Sequence, residues 1–279
     1  MNWKQSAKKV TPNPMWKLGS SSYWWWRNRG RHLLAQRIDR RWSQSLNRLR
    51  QYENTHTNQR CFIIGNGPSL RNTDLNLLMG EFTFGLNRIY LLFPELGFTT
   101  TYLVVVNDLV LEQCAADLQA LPIPRFITWR ARYWFQDDPQ LVYLDTDFTG
   151  EEDFCRKITG RIFEGYTVTY VALQLAFHMG FKEAILVGVD HNYVTQGTAN
   201  QAVISPGDDP NHFSPNYFGK GFRWQLPDLA GSERAYTLAR QAYSRAGRRV
   251  LDATMAGKLT IFPKVDYSSL FRSPGLCNL

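Results

Sequence analysis

The feature that most constrains this chain is a series of short apolar runs, each stopped by a polar or glycine-bearing turn. Cys61 to Ile64 runs into Gly65-Asn66-Gly67-Pro68-Ser69, and Phe82 to Leu86 ends at Asn87. Thr101 to Val106 ends at Asn107-Asp108, and Ala184 to Val187 at Gly188-Val189-Asp190-His191. Runs this short, with little alternation of apolar and polar residues, describe strands buried on both faces, as in parallel sheets. Arg125 to Trp129, Leu141 to Leu144 and Arg249 to Leu251 read as further strands. Helices fall between them. Thr167 to Met179 carries Val171, Leu175 and Phe177 and is closed by Gly180, and Gly231 to Ala246 is the last long helix. The alternation predicts an α/β fold: a Rossmann-like open, mostly parallel sheet flanked by helices.

Open α/β sheets bind ligands outside the C-terminal ends of their strands. Asn66, Asn87, Asn107 and Asp190 each follow such an end, so the same pattern that gives the fold nominates a site.

Charge divides the chain. Residues 1 to 50 hold twelve Lys or Arg against one acidic residue, Asp39, so the net +8 is +11 there and −3 elsewhere. With Tyr23 and Trp24 to Trp26, residues 1–57 read as a basic, Trp-rich helical arm, its helix running from Arg27 to Tyr52. Packing on its own domain or a partner subunit, contact with an anionic membrane surface, and nucleic-acid binding all suit such an arm, nucleic acid least. Polar residues 53 to 60 read as a linker, and residues 58–279 as one nucleotide-binding catalytic domain with a lid at about 194–226. Cys61, Cys114, Cys155 and Cys277 are widely spaced and make no C-x-x-C, which gives no support to a zinc knuckle or a disulfide-stapled fold. No apolar run reaches membrane-span length and no secretory signal is evident, so a cytoplasmic location is expected, with the arm allowing peripheral contact at the inner membrane face.

Several residues carry possible chemistry. Gly65, Gly67 and Ser69 form a turn whose N–H groups suit a phosphate, with a tight turn without ligand as the alternative. The turn is neither G-x-G-x-x-G nor a Walker motif, which argues against a hydride-transfer enzyme or a P-loop NTPase. Asn87 and Asn107 suit a base or ribose, or cap the next turn. Gly165, Thr167 and Thr169 open the long helix, whose first N–H groups favour an anion. Asp190 suits a metal, a ribose hydroxyl or the neighbouring loop, and His191 is a second ionisable group or a buried structural histidine. The stretch from Ser205 to Trp224 is rich in Pro, Gly and Asn, and within it His212 suits a general base. Tyr217, Lys220 and Arg223 follow as candidates to assist and neutralise a departing phosphate.

Cys61 to Ser69, Asn87, Asn107, Gly165 to Gly180, Ile185 to Tyr193 and His212 to Gly221 together resemble the DUF115-type superfamily. That superfamily includes MptE-like hydroxymethylpterin diphosphokinases and motility accessory factor proteins, and it is distantly similar to the family 42 bacterial sialyltransferases. The resemblance spans residues 58 to 271. The sialyltransferase side implies a nucleotide-sugar donor, CMP-linked, no required metal, His212 as base, and tyrosines such as Tyr166 or Tyr217 at the phosphate. The diphosphokinase side implies ATP and Mg²⁺, with Asp108 and Asp190 as metal ligands. Glycosyl transfer to a glycan or lipid-linked acceptor is the favoured expectation, because the arm suits a membrane-associated acceptor. A non-catalytic nucleotide-binding module and a homo-oligomer remain open.

Overall fold

The computed structural model describes residues 31–272 apart from 150 and 196. Tyr23 and Trp24 to Trp26 lie outside the described residues. The chain divides into two units, Met1–Gln44 and Ser45–Leu279. The helix expected up to Tyr52 is two helices, α1 (Arg31–Ile38) and α2 (Arg40–Tyr52). The break has a local cause. The Asp39 carboxylate accepts from the Arg41 backbone N–H at 3.0 Å and pairs with its guanidinium at 2.7 Å, so Asp39 caps the second helix.

The main unit begins earlier than residue 58. Leu49 on α2 is fully buried in the core, and its carbonyl oxygen accepts from the His178 ring at 2.7 Å. Residues 53–59 are a turn rather than a free linker. Within it His56 stacks on Phe181 with ring centres 4.5 Å apart and bonds the Tyr102 hydroxyl at 2.8 Å.

The expected strands are present: β1 (Arg60–Ile64), β2 (Phe82–Leu86), a short helix α3 (Phe93–Leu96), and β3 (Tyr102–Val105). Helices α4 (Asp108–Gln113) and α5 (Ala115–Ala120) follow, then β4 (Arg125–Thr128), β5 (Leu141–Asp147) and β6 (Arg161–Phe163). Helix α6 (Val168–His178) leads to β7 (Glu183–Val187), and β8 (Ala202–Ile204) and β9 (Arg223–Gln225) lie in the lid. The chain closes with α7 (Leu229–Arg245) and β10 (Arg249–Asp252). Eight strands form one sheet, ordered β10-β7-β1-β2-β3-β4-β5-β6, with every pairing parallel. β8 and β9 form a separate antiparallel ribbon inside a segment whose sequence reads as irregular.

From β1 to β6 each strand lies beside its predecessor. The chain then returns through α6 to place β7 on the other side of β1. The order therefore reverses between β1 and β7, where a parallel sheet opens a crevice. Helix α6 is buried from Thr169 to His178 and is mostly apolar all round, as suits a helix packed between sheet and neighbouring helix. It ends as expected at Gly180, whose φ of +94° continues into a bond from the Phe181 N–H to the Ala176 carbonyl.

Candidate functional site

A cavity of about 610 Å³ opens over the C-terminal strand ends. Of the residues nominated by sequence, Gly65, Asn66, Gly67, Asn87, Asn107, Asp108, Thr167, Thr169, Asp190 and His212 line it. Ser69, Gly165, Tyr217 and Lys220 lie outside the lining.

The glycine turn after β1 has a different job from the one its composition suggests. The Gly65 N–H donates to the Val187 carbonyl at 2.7 Å and the Gly67 N–H to the Gly188 carbonyl at 2.9 Å. Ser69 gives both its N–H (3.1 Å) and its hydroxyl (2.7 Å) to the Asp190 carboxylate. Those donors are committed within the protein, so these residues of the turn clasp β7 and its following loop. Gly67 is required because a β-carbon there would sit 1.8 Å from Asp190 Oδ2. Burial pushes the Asp190 carboxyl above the usual carboxylate range, against the lowering effect of the Ser69 bonds.

Two side chains from these strand ends stay unsatisfied. The side-chain oxygens of Asn66 and Asn87 are buried in the cavity lining and have no hydrogen-bond partner among the described residues. Asn87 also holds the left-handed backbone, with φ +48°. Asn107 is spent differently. Its side-chain oxygen caps α4 by accepting from the Leu109 and Val110 N–H groups at 3.0 and 3.2 Å. Thr167 caps α6 in the same way, accepting from the Thr169 N–H at 3.3 Å. Gly165 serves packing, since its φ is +61° and a β-carbon would meet the Tyr170 ring at 2.3 Å.

The lid carries the best-organised chemistry. His212 is 8% exposed and its Nδ1 lies 2.7 Å from Asp209 Oδ2. Asp209 is held in turn by the Phe218 N–H at 3.1 Å and the Asn211 N–H at 2.8 Å. An aspartate on Nδ1 fixes the tautomer that leaves Nε2 as acceptor, and no hydrogen bond to Nε2 is present among the described residues. Tyr217 lies flat against the imidazole, with ring centres 4.0 Å apart and planes 10° apart. Its hydroxyl accepts from the Arg88 N–H at 3.3 Å, and burial pushes its phenol well above the ordinary tyrosine range. Tyr217 therefore packs His212 from behind and does not face a ligand. Lys220 is exposed, and Arg223 pairs with Glu112 at 2.9 Å.

The segment around His212 is also fastened to the strand ends. The Phe213 N–H donates to the Asn66 carbonyl at 2.9 Å, and Arg71 Nε donates to the Phe213 carbonyl at 2.5 Å. Arg88 donates to the carbonyl oxygens of Asn216 and Tyr217 and lies over the Tyr217 and Phe222 rings.

Sequence reasoning missed one whole wall. Arg130, after β4, donates to Glu164 at 2.8 Å, to Asp108 at 3.3 Å and to the Thr146 carbonyl at 2.7 Å. Thr146 gives its hydroxyl to Glu164 at 2.5 Å. Burial pushes the Glu164 carboxyl up despite Arg130, and the buried Arg130 Nε has no partner among the described residues. Asp209 was missed too, although its spacing of three from His212 was visible. His191, which also lines the cavity, pairs with Glu233 at 3.0 Å.

Asp108 and Asp190 leave the sheet at separate places. They follow β3 and β7, which are three strand spacings apart, roughly 14 Å at about 4.8 Å each. No group of three or more His, Cys, Asp or Glu residues placed to hold a metal occurs among the described residues. No helix among them is long and apolar enough to cross a membrane.

No family model and no curated protein matches the chain, so the superfamily resemblance rests on its motifs. Among solved structures the chain is similar to the MAf glycosyltransferase from Magnetospirillum magneticum AMB-1, at a TM-score of 0.47 and 16% identity over 81% of this chain. The chain spans 38% of the length of that protein.

Proposed function

We propose that this chain is a glycosyltransferase that moves a sugar from a nucleotide donor to a hydroxyl acceptor, with His212 as general base. The observation that carries the reading is the buried Asp209–His212 pair, which leaves Nε2 available in a cavity over the strand ends. In this reading Nε2 takes the acceptor proton as the acceptor oxygen bonds the anomeric carbon. The bond from that carbon to the donor phosphate oxygen breaks, and the nucleotide leaves with its electron pair. Asp209 steadies the imidazolium that forms. The unsatisfied Asn66 and Asn87 amides suit sugar or nucleoside donors.

Charge bears on where the phosphate would sit. The lining holds four carboxylates, Asp108, Glu164, Asp190 and Asp228, against one guanidinium, Arg130. Such a wall favours hydroxyl-rich groups over anions. The phosphate is therefore assigned to the first turn of α6, where Val168 and Thr169 line the cavity and the helix dipole is positive. A CMP-linked donor and a glycan or lipid-linked acceptor are the finer form of the proposal. A diphosphokinase gains little support, because its two metal candidates stand apart and Asp190 is bound by Ser69.

The test is donor turnover across CMP-, UDP- and GDP-linked sugars, preceded by a thermal-shift screen of nucleotides with and without Mg²⁺. His212→Ala lowers turnover by about 10²-fold or more with donor affinity retained, and Asp209→Asn lowers it in the same direction. An unchanged rate in His212→Ala refutes the assignment.

A further inference from the structure

The wall formed after β3, β4, β5 and β6 has no role in the base chemistry, yet it is built with care. Arg130 bridges two carboxylates through one nitrogen, Nη2, which reaches Asp108 Oδ1 at 3.3 Å and Glu164 Oε1 at 2.8 Å. Thr128, Thr146 and the Thr146 carbonyl complete the frame, with the Thr146 hydroxyl 2.8 Å from that of Thr128. The guanidinium thus holds the two acids side by side, and neither Asp108 Oδ2 nor Glu164 Oε2 has a hydrogen bond among the described residues. Phe148 stands beside them, 57% exposed, with the Arg130 guanidinium 5.3 Å from its ring centre. Asp108, Arg130, Phe148 and Glu164 all line the cavity. The buried, unpartnered oxygen of Asn87 and the buried Nε of Arg130 are independent signs that polar groups in this lining await a ligand.

Two acceptor oxygens of like charge repel an anion but accept from neutral donors, and a vicinal diol offers two such donors on adjacent carbons. An apolar ring face alongside suits the flat side of a sugar or base. Resting on the proposed nucleotide-sugar reading, we propose that Asp108 and Glu164, held by Arg130, form a subsite for a vicinal diol of the ligand, with Phe148 as its platform. The diol belongs either to the nucleotide ribose or to the transferred sugar. Arg130 is a positioning residue here, because its Nη2 donates to the two acids and its Nη1 to Thr146.

Calorimetric titration separates the sources. The probes are CMP, UMP, GMP and AMP, their 2′-deoxy counterparts, and the nucleotide-sugars UDP-glucose and CMP-N-acetylneuraminate. If the ribose is read, the wild-type protein binds a ribonucleotide at least about tenfold tighter than its deoxy form, and Glu164→Gln reduces that preference to within about threefold. If the sugar is read, ribo and deoxy forms bind alike, a nucleotide-sugar binds tighter than its nucleotide, and Glu164→Gln removes the gain. Asp108→Asn, at a half-exposed position with little risk to the fold, shifts the preference in the same direction. Binding with neither preference, or preferences intact in both variants, overturns the subsite and leaves the nucleotide reading standing. No binding of any probe overturns both.

Discussion

Replacing Gly67 with alanine isolates the clasp between the β1 turn and the loop after β7. Gly67 has φ −70° and ψ 160°, a conformation alanine adopts without strain, so the effect is steric. The new β-carbon falls 1.8 Å from Asp190 Oδ2 and 2.4 Å from its Cγ, well inside contact distance. The Asp190 side chain must swing away and release the Ser69 N–H and hydroxyl. Hydrogen bonds to a charged group contribute about 1.5–3 kcal/mol each. Asp190 is only partly buried and regains some water, so a net loss of about 3 kcal/mol is expected. For a domain of this size that is a fall in Tm of roughly 6–12 °C. Urea unfolding of Gly67→Ala, Asp190→Ala and the double variant measures the coupling. With Asp190 reduced to alanine the nearest contact to position 67 from that residue becomes its β-carbon at 3.0 Å, so the Gly67 change then costs less than about 1 kcal/mol. Equal cost in both backgrounds would refute the steric account, and with it the claim that the turn serves Asp190.

Two more outcomes are open to measurement. Glu164 has a folded pKa above its unfolded value, so the folded state holds its proton more tightly and stability falls as pH rises from about 4 through the folded pKa. Glu164→Gln flattens that part of a chemical-denaturation pH profile, and an unchanged slope contradicts the burial account. A chain starting at residue 45 keeps Leu49 and His56 in the core, whereas one starting at residue 58 loses both. The shorter chain is less stable by at least the ~2–5 kcal/mol that deleting one buried leucine costs, and equal stability of the two refutes the assignment of residues 45–57 to the main unit.

The sheet was legible because its strands are buried on both faces, and double burial writes itself as unbroken apolar residues such as Cys61 to Ile64 or Ala184 to Val187. β6 has three residues and β8 and β9 sit among Pro and Gly, too short for any period to register. The strand-end residues Asn66, Asn87, Asn107 and Asp190 were readable because position at the end of a parallel strand is a local property. Their partners were not. The turn at Gly65 finds its acceptors on β7 and Asp190, more than a hundred residues later, so its composition could not reveal that its donors were already used. Arg130 and Glu164 are 34 residues apart and meet only because β4, β5 and β6 are neighbours. The surroundings of Tyr217 were hidden for a related reason. Spacing in an irregular loop gives no direction, and only the packing shows its ring behind His212 with its hydroxyl turned to Arg88.

The single reversal in strand order bears on how the molecule is made. β1 through β6 can pair in the order in which they leave the ribosome, each with a neighbour already present. β7 cannot, because its partner β1 was synthesised about 120 residues earlier and the chain must close that whole loop to reach it. Until then the flank of β1 offers an unpaired edge of Cys61, Phe62, Ile63 and Ile64, residues that a nascent chain cannot leave open for long without risk of association. The turn at Gly65 finds both Val187 and Asp190 in that same late event. Premature termination before β7 therefore yields a six-stranded sheet with an adhesive edge at β1 and without the loop that carries Asp190, and chaperone demand should peak in that interval of synthesis.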